Sequence, residues 1–181
     1  MGQRRSARES ALQVLFELEF NNAGAESVLL RPREDKNPAP AVLEYAARLV
    51  RGVLARRQEI DDLVQGTSAH WRVARMNPID RNILRIAAFE LLEERFLAPA
   101  IIINEAIEIA KRFSGEEGAV FVNGVLDAVR KAIARGPAAP KETDHEPTPK
   151  PRKSPESAQR APAAAAATDR PAAPRGRRPK E

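Results

Sequence analysis

Large apolar side chains recur at helical spacing as far as Ile133 and are then missing to the end of the chain. From Pro137 to Glu181 there is no Leu, Ile, Val, Met, Phe, Tyr or Trp, and ten of the fifteen prolines lie there. Such a segment cannot bury enough apolar surface to offset the entropy lost on ordering it. We therefore predict one folded domain over residues 1–136 and a disordered tail over residues 137–181.

Most of the net charge of the chain belongs to this predicted tail. The tail has ten Lys and Arg against six Asp and Glu, a net charge of +4, whereas the whole chain carries +5. The domain is therefore almost neutral. Any basic surface on it must come from clustering of cations rather than from an excess of them.

The spacing of apolar residues in the domain predicts an all-α fold, because period-two alternation bounded by turn residues is rare. Two capping patterns predict helix starts. Ser6 and Glu9 fit a capping box, with Arg4 and Arg5 as a short arm ahead of it. Asn77 followed by Pro78 predicts the start of a helix that is apolar nearly all round and therefore central.

Other signals predict where helices end. The first helix should fade near residues 21–22, and Ser114 with Gly115 should end a later helix that follows Pro99. A last helix should close at Gly136. Between residues 42 and 64 the apolar spacing fits either one long helix or two in tandem.

The composition gives little support to a catalytic or metal-binding function. Cysteine is absent, which excludes disulfides, thiolate catalysis and Cys-containing zinc sites. There is no Gly-rich phosphate loop, and the two histidines, His70 and His145, have no suitable partners in the sequence pattern. The N-terminus is too charged for a signal peptide, and no apolar run is long enough to span a membrane. We expect a cytoplasmic binding protein that is not an enzyme and needs no cofactor.

Arginines cluster at the N-terminus, where Arg4, Arg5 and Arg8 precede the first apolar stripe. Guanidinium groups donate paired hydrogen bonds to phosphate, so this cluster suits RNA; a solvated basic surface is the alternative. Arg8, Leu12 and Phe16 follow one another at four-residue steps along a helix. An exposed Phe16 could stack on a base, but the spacing fits a core phenylalanine equally well.

The segment "FVNGVLD" contains a second aromatic of this kind. Phe121 and Asn123 lie beside the apolar stripe rather than at its centre, so both are candidate RNA contacts. Gly124 costs about 1 kcal/mol in a helix interior relative to alanine, which favours close approach of another backbone at that position. Helix packing would explain the same residues without RNA.

Four blocks in this order, "RRSARESALQVLF", "IDRNILRIAAFEL", "INEAIEIAKRF" and "FVNGVLDAV", resemble the NusB family of bacterial transcription antitermination factors. The resemblance covers about residues 4–133 and leaves the tail without a counterpart. It implies about seven helices in two small bundles. It also implies binding to boxA-containing RNA together with NusE, a small-subunit ribosomal protein, within the RNA polymerase antitermination complex, especially during ribosomal RNA transcription.

The resemblance also implies roles for individual residues. Arg4, Arg5 and Arg8 match the arginine-rich RNA-binding motif, although Ser6 replaces a basic residue that is common there. Phe16 stands where tyrosine is frequent, and Phe121 is the aromatic of the "FVNG" block. Asp80 matches an acidic position associated with the surface that faces NusE.

Two other functions fit parts of the pattern. NusB-like domains precede the catalytic domain of some ribosomal RNA cytosine-5 methyltransferases, but those enzymes need a further domain and a cysteine nucleophile, and this chain has no cysteine. The chain could also be a scaffold, for example a homodimer, whose arginines contact protein.

Overall fold

The computed structural model describes residues 2–21, 24–29, 31, 38–68, 71–94 and 96–136. These residues form seven α-helices and no strand, which confirms the predicted all-α class. The helices are α1 (Gln3–Phe20), α2 (Ala25–Leu29), α3 (Pro40–Ala55), α4 (Arg57–Thr67), α5 (Pro78–Glu93), α6 (Pro99–Phe113) and α7 (Gly115–Arg135), and a 3-10 turn (Val73–Arg75) precedes α5. The predicted tail over 137–181 and both histidines lie outside the described residues.

Helix α5 lies in the centre, as its apolar pattern predicts. It packs on α1, α3, α4, α6 and α7. Asn77 caps its start, since the Oδ1 atom accepts a hydrogen bond from the amide of Ile79 at 2.9 Å, and Pro78 occupies the first helical position. Its buried apolar side chains join α5 to the core; these are Ile83, Leu84, Ile86, Ala87, Ala88 and Phe89.

The other helices form two groups around α5. Helices α1, α2 and α3 pack on one another, while α7 packs on α6 and α4. This is the arrangement of two small bundles that the family resemblance implies. It brings side chains of α1, α5 and α6 together, where Arg8 pairs with both Glu90 and Glu105.

The predicted start of α1 is wrong. The helix begins at Gln3 with Gly2 as its N-cap, so Ser6 lies inside the helix and forms no capping box. Arg4 and Arg5 therefore belong to the first turn rather than to an arm. The reason is tertiary: Glu9 binds Arg112 of α6 at 2.7 Å instead of capping α1, and Arg5 binds Glu105 of the same helix.

The remaining boundaries agree with the sequence signals. Helix α1 ends at Phe20, α6 ends before Ser114, and α7 ends before Gly136, whose φ of 73° suits glycine. The apolar stretch from residue 42 to 64 divides into α3 and α4 at Arg56. The predicted close backbone approach at Gly124 is wrong, because a Cβ there would have open space around it.

Candidate functional site

Arg4 presents an available cation at the start of α1. Its side chain is exposed and forms no ion pair with any other described residue, and its guanidinium lies 5.7 Å from the centroid of the Tyr45 ring. Together with Tyr45 and Arg48 it lines a surface cavity of about 300 Å³. A guanidinium over an aromatic face at the rim of a cavity is oriented while its donors remain accessible to an anion.

Arg5 already has an anionic partner. Its Nε and Nη2 atoms donate to the two carboxylate oxygens of Glu105 at 2.9 and 2.7 Å, and both side chains are partly exposed. The hydrogen bond from Arg5 holds the pKa of the Glu105 carboxyl below its usual value against the opposing effect of desolvation. A phosphate that binds Arg5 must therefore share it with Glu105 or displace that carboxylate.

Arg8 is buried, contrary to its predicted place on an exposed basic surface. Only 3 % of the side chain is accessible, and it donates two hydrogen bonds of 2.8 Å to the carboxylate of Glu90, itself 1 % accessible. The Tyr45 hydroxyl donates to the same carboxylate at 2.6 Å. Burial, and then this hydrogen bond to Glu90, raise the pKa of Tyr45. This buried ion pair joins α1 to α5. Without Arg8, the Glu90 carboxylate would be buried without a charged partner, which is energetically costly.

The stripe of Arg8, Leu12 and Phe16 is half buried. Arg8 and Leu12 face the core, and only Phe16 reaches the surface, with 37 % of its side chain exposed. Its ring centroid lies 4.9 Å from that of Phe20, which is 65 % exposed. The two phenylalanines form a small aromatic surface at the end of α1, and Arg8 does not share it.

Phe121 and Asn123 lie on α7. Phe121 is partly buried and packs against the core, while Asn123 is exposed. The Phe121 ring meets Trp71 edge to face, with centroids 5.9 Å apart. Part of Phe121 is therefore available to a ligand, and part of it serves the core.

Asp80 is buried at the start of α5, where 8 % of its side chain is accessible. Its Oδ1 atom has no hydrogen-bond partner among the described residues and lies 3.0 Å from where a Cβ on Gly118 would stand. Asp80 thus fills the space between α5 and the first turns of α7. A partner that docks here therefore contacts the residues around Asp80 rather than its buried carboxylate.

A charged network that the sequence did not predict joins α1, α4 and α5. Arg85 donates to Glu19 at 2.9 Å and to Asp61 at 2.7 and 2.8 Å, and Arg81 also binds Glu19. Burial raises the pKa of Glu19, but hydrogen bonds from Arg81 and Asn82 and the charges of the two arginines hold it below its usual value. The only sign of this network in the sequence is the four-residue spacing of Arg81 and Arg85, which puts both side chains on one helix face.

The described part of the chain contains neither a candidate metal site nor a membrane-spanning helix. No group of three His, Cys, Asp or Glu side chains there could hold a metal ion. None of the helices described above has the length and apolar character needed to cross a membrane.

The fold and the site define a small helical binding protein with arginines and aromatics at its surface. The NusB family matches residues 5–131, and the chain belongs to this family. It is 42 % identical over 137 residues to the transcription antitermination protein NusB of Myxococcus xanthus, an alignment that spans 74 % of this chain and 98 % of that protein.

Solved structures agree with this assignment. The chain is similar to T. maritima NusB, with 37 % identity, a TM-score of 0.66, and coverage of 71 % of this chain and 90 % of the other. It is also similar to a chain in a crystal structure of the antitermination factors NusB and NusE in complex with dsRNA. That similarity has 26 % identity and a TM-score of 0.64, and it covers 72 % of this chain and 98 % of that one.

Proposed function

We propose that this chain is a cytoplasmic transcription antitermination factor that binds boxA-type RNA together with NusE and helps RNA polymerase read through terminators, notably in ribosomal RNA operons. The observation that carries the proposal is the similarity over 98 % of a chain from a complex of NusB, NusE and dsRNA. The role is one of binding, with no catalytic step and no cofactor.

The three arginines then have different tasks. Arg4 contacts an RNA phosphate directly, because it is exposed and has no acidic partner among the described residues. Arg5 contributes where a phosphate replaces Glu105 as its partner. Arg8 acts indirectly, since its ion pair with Glu90 fixes the first turns of α1 and therefore the place from which Arg4 and Arg5 project.

The aromatic and amide side chains are proposed to contact bases. Phe16 can stack through its exposed part, although it lacks the hydroxyl that a tyrosine would use for a hydrogen bond. Phe121 offers the part of its ring that the core leaves accessible, and Asn123 offers both a donor and an acceptor to a base edge. On the protein-facing side, Asp80 supports the NusE surface by keeping the starts of α5 and α7 in register.

Replacing Arg4 by alanine tests the RNA part of this proposal. We expect weaker binding to boxA and scrambled RNA alike, because phosphate contacts carry no sequence information. The slope of log affinity against log salt should fall by about 0.7, the value for one contact to a single strand. Fluorescence anisotropy of labelled RNA at several salt concentrations measures both quantities.

Arg130→Ala is the matched control, since Arg130 is an exposed arginine of α7 whose partner is Asp127. It should leave the RNA affinity and the salt slope unchanged. Equal slopes for wild type, Arg4→Ala and Arg130→Ala would show that Arg4 makes no phosphate contact.

A further inference from the structure

Trp71 is the exposed partner of Phe121. Its side chain is 59 % accessible, whereas Phe121 is partly buried against the core. The planes of the two rings meet at 74°, with 5.9 Å between their centroids. In this edge-to-face contact one aromatic supports the other, and the indole is the ring that offers most surface to a ligand.

Hydrogen bonds hold the backbone of Trp71 and of the 3-10 turn that follows it. The Trp71 amide donates to the carbonyl of Ser68 at 3.3 Å, and the Gln65 side chain bridges the segment: its Nε2 atom donates to the Trp71 carbonyl and its Oε1 atom accepts from the Val73 amide at 3.0 Å. Arg81 donates to the carbonyls of Val73 and Met76. The indole is therefore presented from an anchored segment, which lowers the ordering cost of binding.

Two cations lie in the same segment. Arg72 and Arg75 are exposed, and neither forms an ion pair within the described part of the chain. An exposed aromatic with unpaired arginines beside it is the arrangement that sites for single-stranded nucleic acid use, since bases stack on the ring while the cations follow the phosphates. Unpaired positive charge beside an exposed ring favours an anionic ligand that can also stack, and single-stranded RNA has both properties.

We propose that Trp71 is an additional base-stacking residue of the RNA site, with Phe121 as the wall that orients the indole and with Arg72 and Arg75 near the phosphates. This inference rests on the proposed RNA-binding function and adds a position to it. Every base has a π-face, so Trp71 contributes affinity with little preference for sequence.

Trp71 is the only tryptophan of the chain, so its fluorescence reports on this position alone. Titration of the full-length protein with single-stranded boxA RNA should quench that fluorescence as the RNA binds. Trp71→Ala should lower the RNA affinity about 5- to 150-fold, the range expected for the loss of one base–aromatic stack. Trp71→Phe should keep most of the affinity, and melting curves of both variants should stay close to that of wild type.

Phe96→Ala is the control for general loss of an exposed aromatic, since the Phe96 side chain is fully accessible; it should not change RNA binding. If labelled RNA binds wild type by anisotropy while tryptophan fluorescence stays constant and Trp71→Ala binds equally well, this inference is wrong and the proposed function stands. Loss of NusE binding without loss of RNA affinity in Trp71→Ala would also overturn it. If wild type binds no RNA with or without NusE, the proposed function itself fails.

Discussion

Replacing Arg8 by alanine should destabilise the fold by about 3–5 kcal/mol, the cost of removing one partner from a buried ion pair. Among the described residues, the change leaves the buried Glu90 carboxylate with only the Tyr45 hydroxyl as a hydrogen-bond donor. It also removes a link between α1 and α5. Urea denaturation monitored by circular dichroism measures the loss.

The same substitution at Arg130 is the control, because that arginine pairs with Asp127 on the exposed face of α7. Arg130→Ala should leave the denaturation midpoint nearly unchanged. The double variant Arg8→Met with Glu90→Leu should recover much of the lost stability, since it removes both buried charges and keeps apolar volume. Equal midpoints for Arg8→Ala and Arg130→Ala would mean that the buried pair is not formed in solution.

Replacing Gly52 by alanine should also destabilise the protein, although alanine is the better helix former. A Cβ at Gly52 of α3 would lie 2.1 Å from Cζ and 2.4 Å from Cε2 of Phe89, a buried ring of α5. Because the ring must move within a packed core, we expect a net loss of about 1–3 kcal/mol. Thermal denaturation of the variant measures this loss.

Gly124→Ala is a control that should change the stability in the opposite direction. Gly124 lies in the middle of α7 with nothing near the position of a Cβ, so alanine there should stabilise the helix by about 0.5–1 kcal/mol. Combining Gly52→Ala with Phe89→Leu should relieve the clash and restore part of the stability. A gain in stability for Gly52→Ala alone would show that α3 and α5 pack less closely in solution than in this structure.

The features of the fold that could be predicted from sequence are those with local causes. The apolar positions of α5 required burial on most sides, and Asn77 with Pro78 marked its start. Gly136 ended α7 because a positive φ suits glycine. The start of α1 could not be predicted in this way, because contacts from Arg5 and Glu9 to α6 outweighed the local capping preference of Ser6.

The solvent exposure of the candidate site residues could not be predicted from the sequence. The three N-terminal arginines look alike in the sequence but differ in the structure because their partners lie on different helices. Arg4 is exposed beside Tyr45 of α3. Arg5 is paired at the surface with α6, and Arg8 is buried against α5. Trp71 carried no periodic signal, since it lies between helices. Its anchoring by Gln65 and its contact with Phe121 are visible only in three dimensions.

Joint binding of boxA RNA by this chain and NusE is the property on which the proposed function depends. The most direct measurement is the affinity of the full-length protein for labelled boxA and scrambled RNA, by fluorescence anisotropy, with and without NusE. We predict that NusE tightens binding to boxA RNA more than binding to scrambled RNA. Equal affinities for the two RNAs, unchanged by NusE, would contradict the claim.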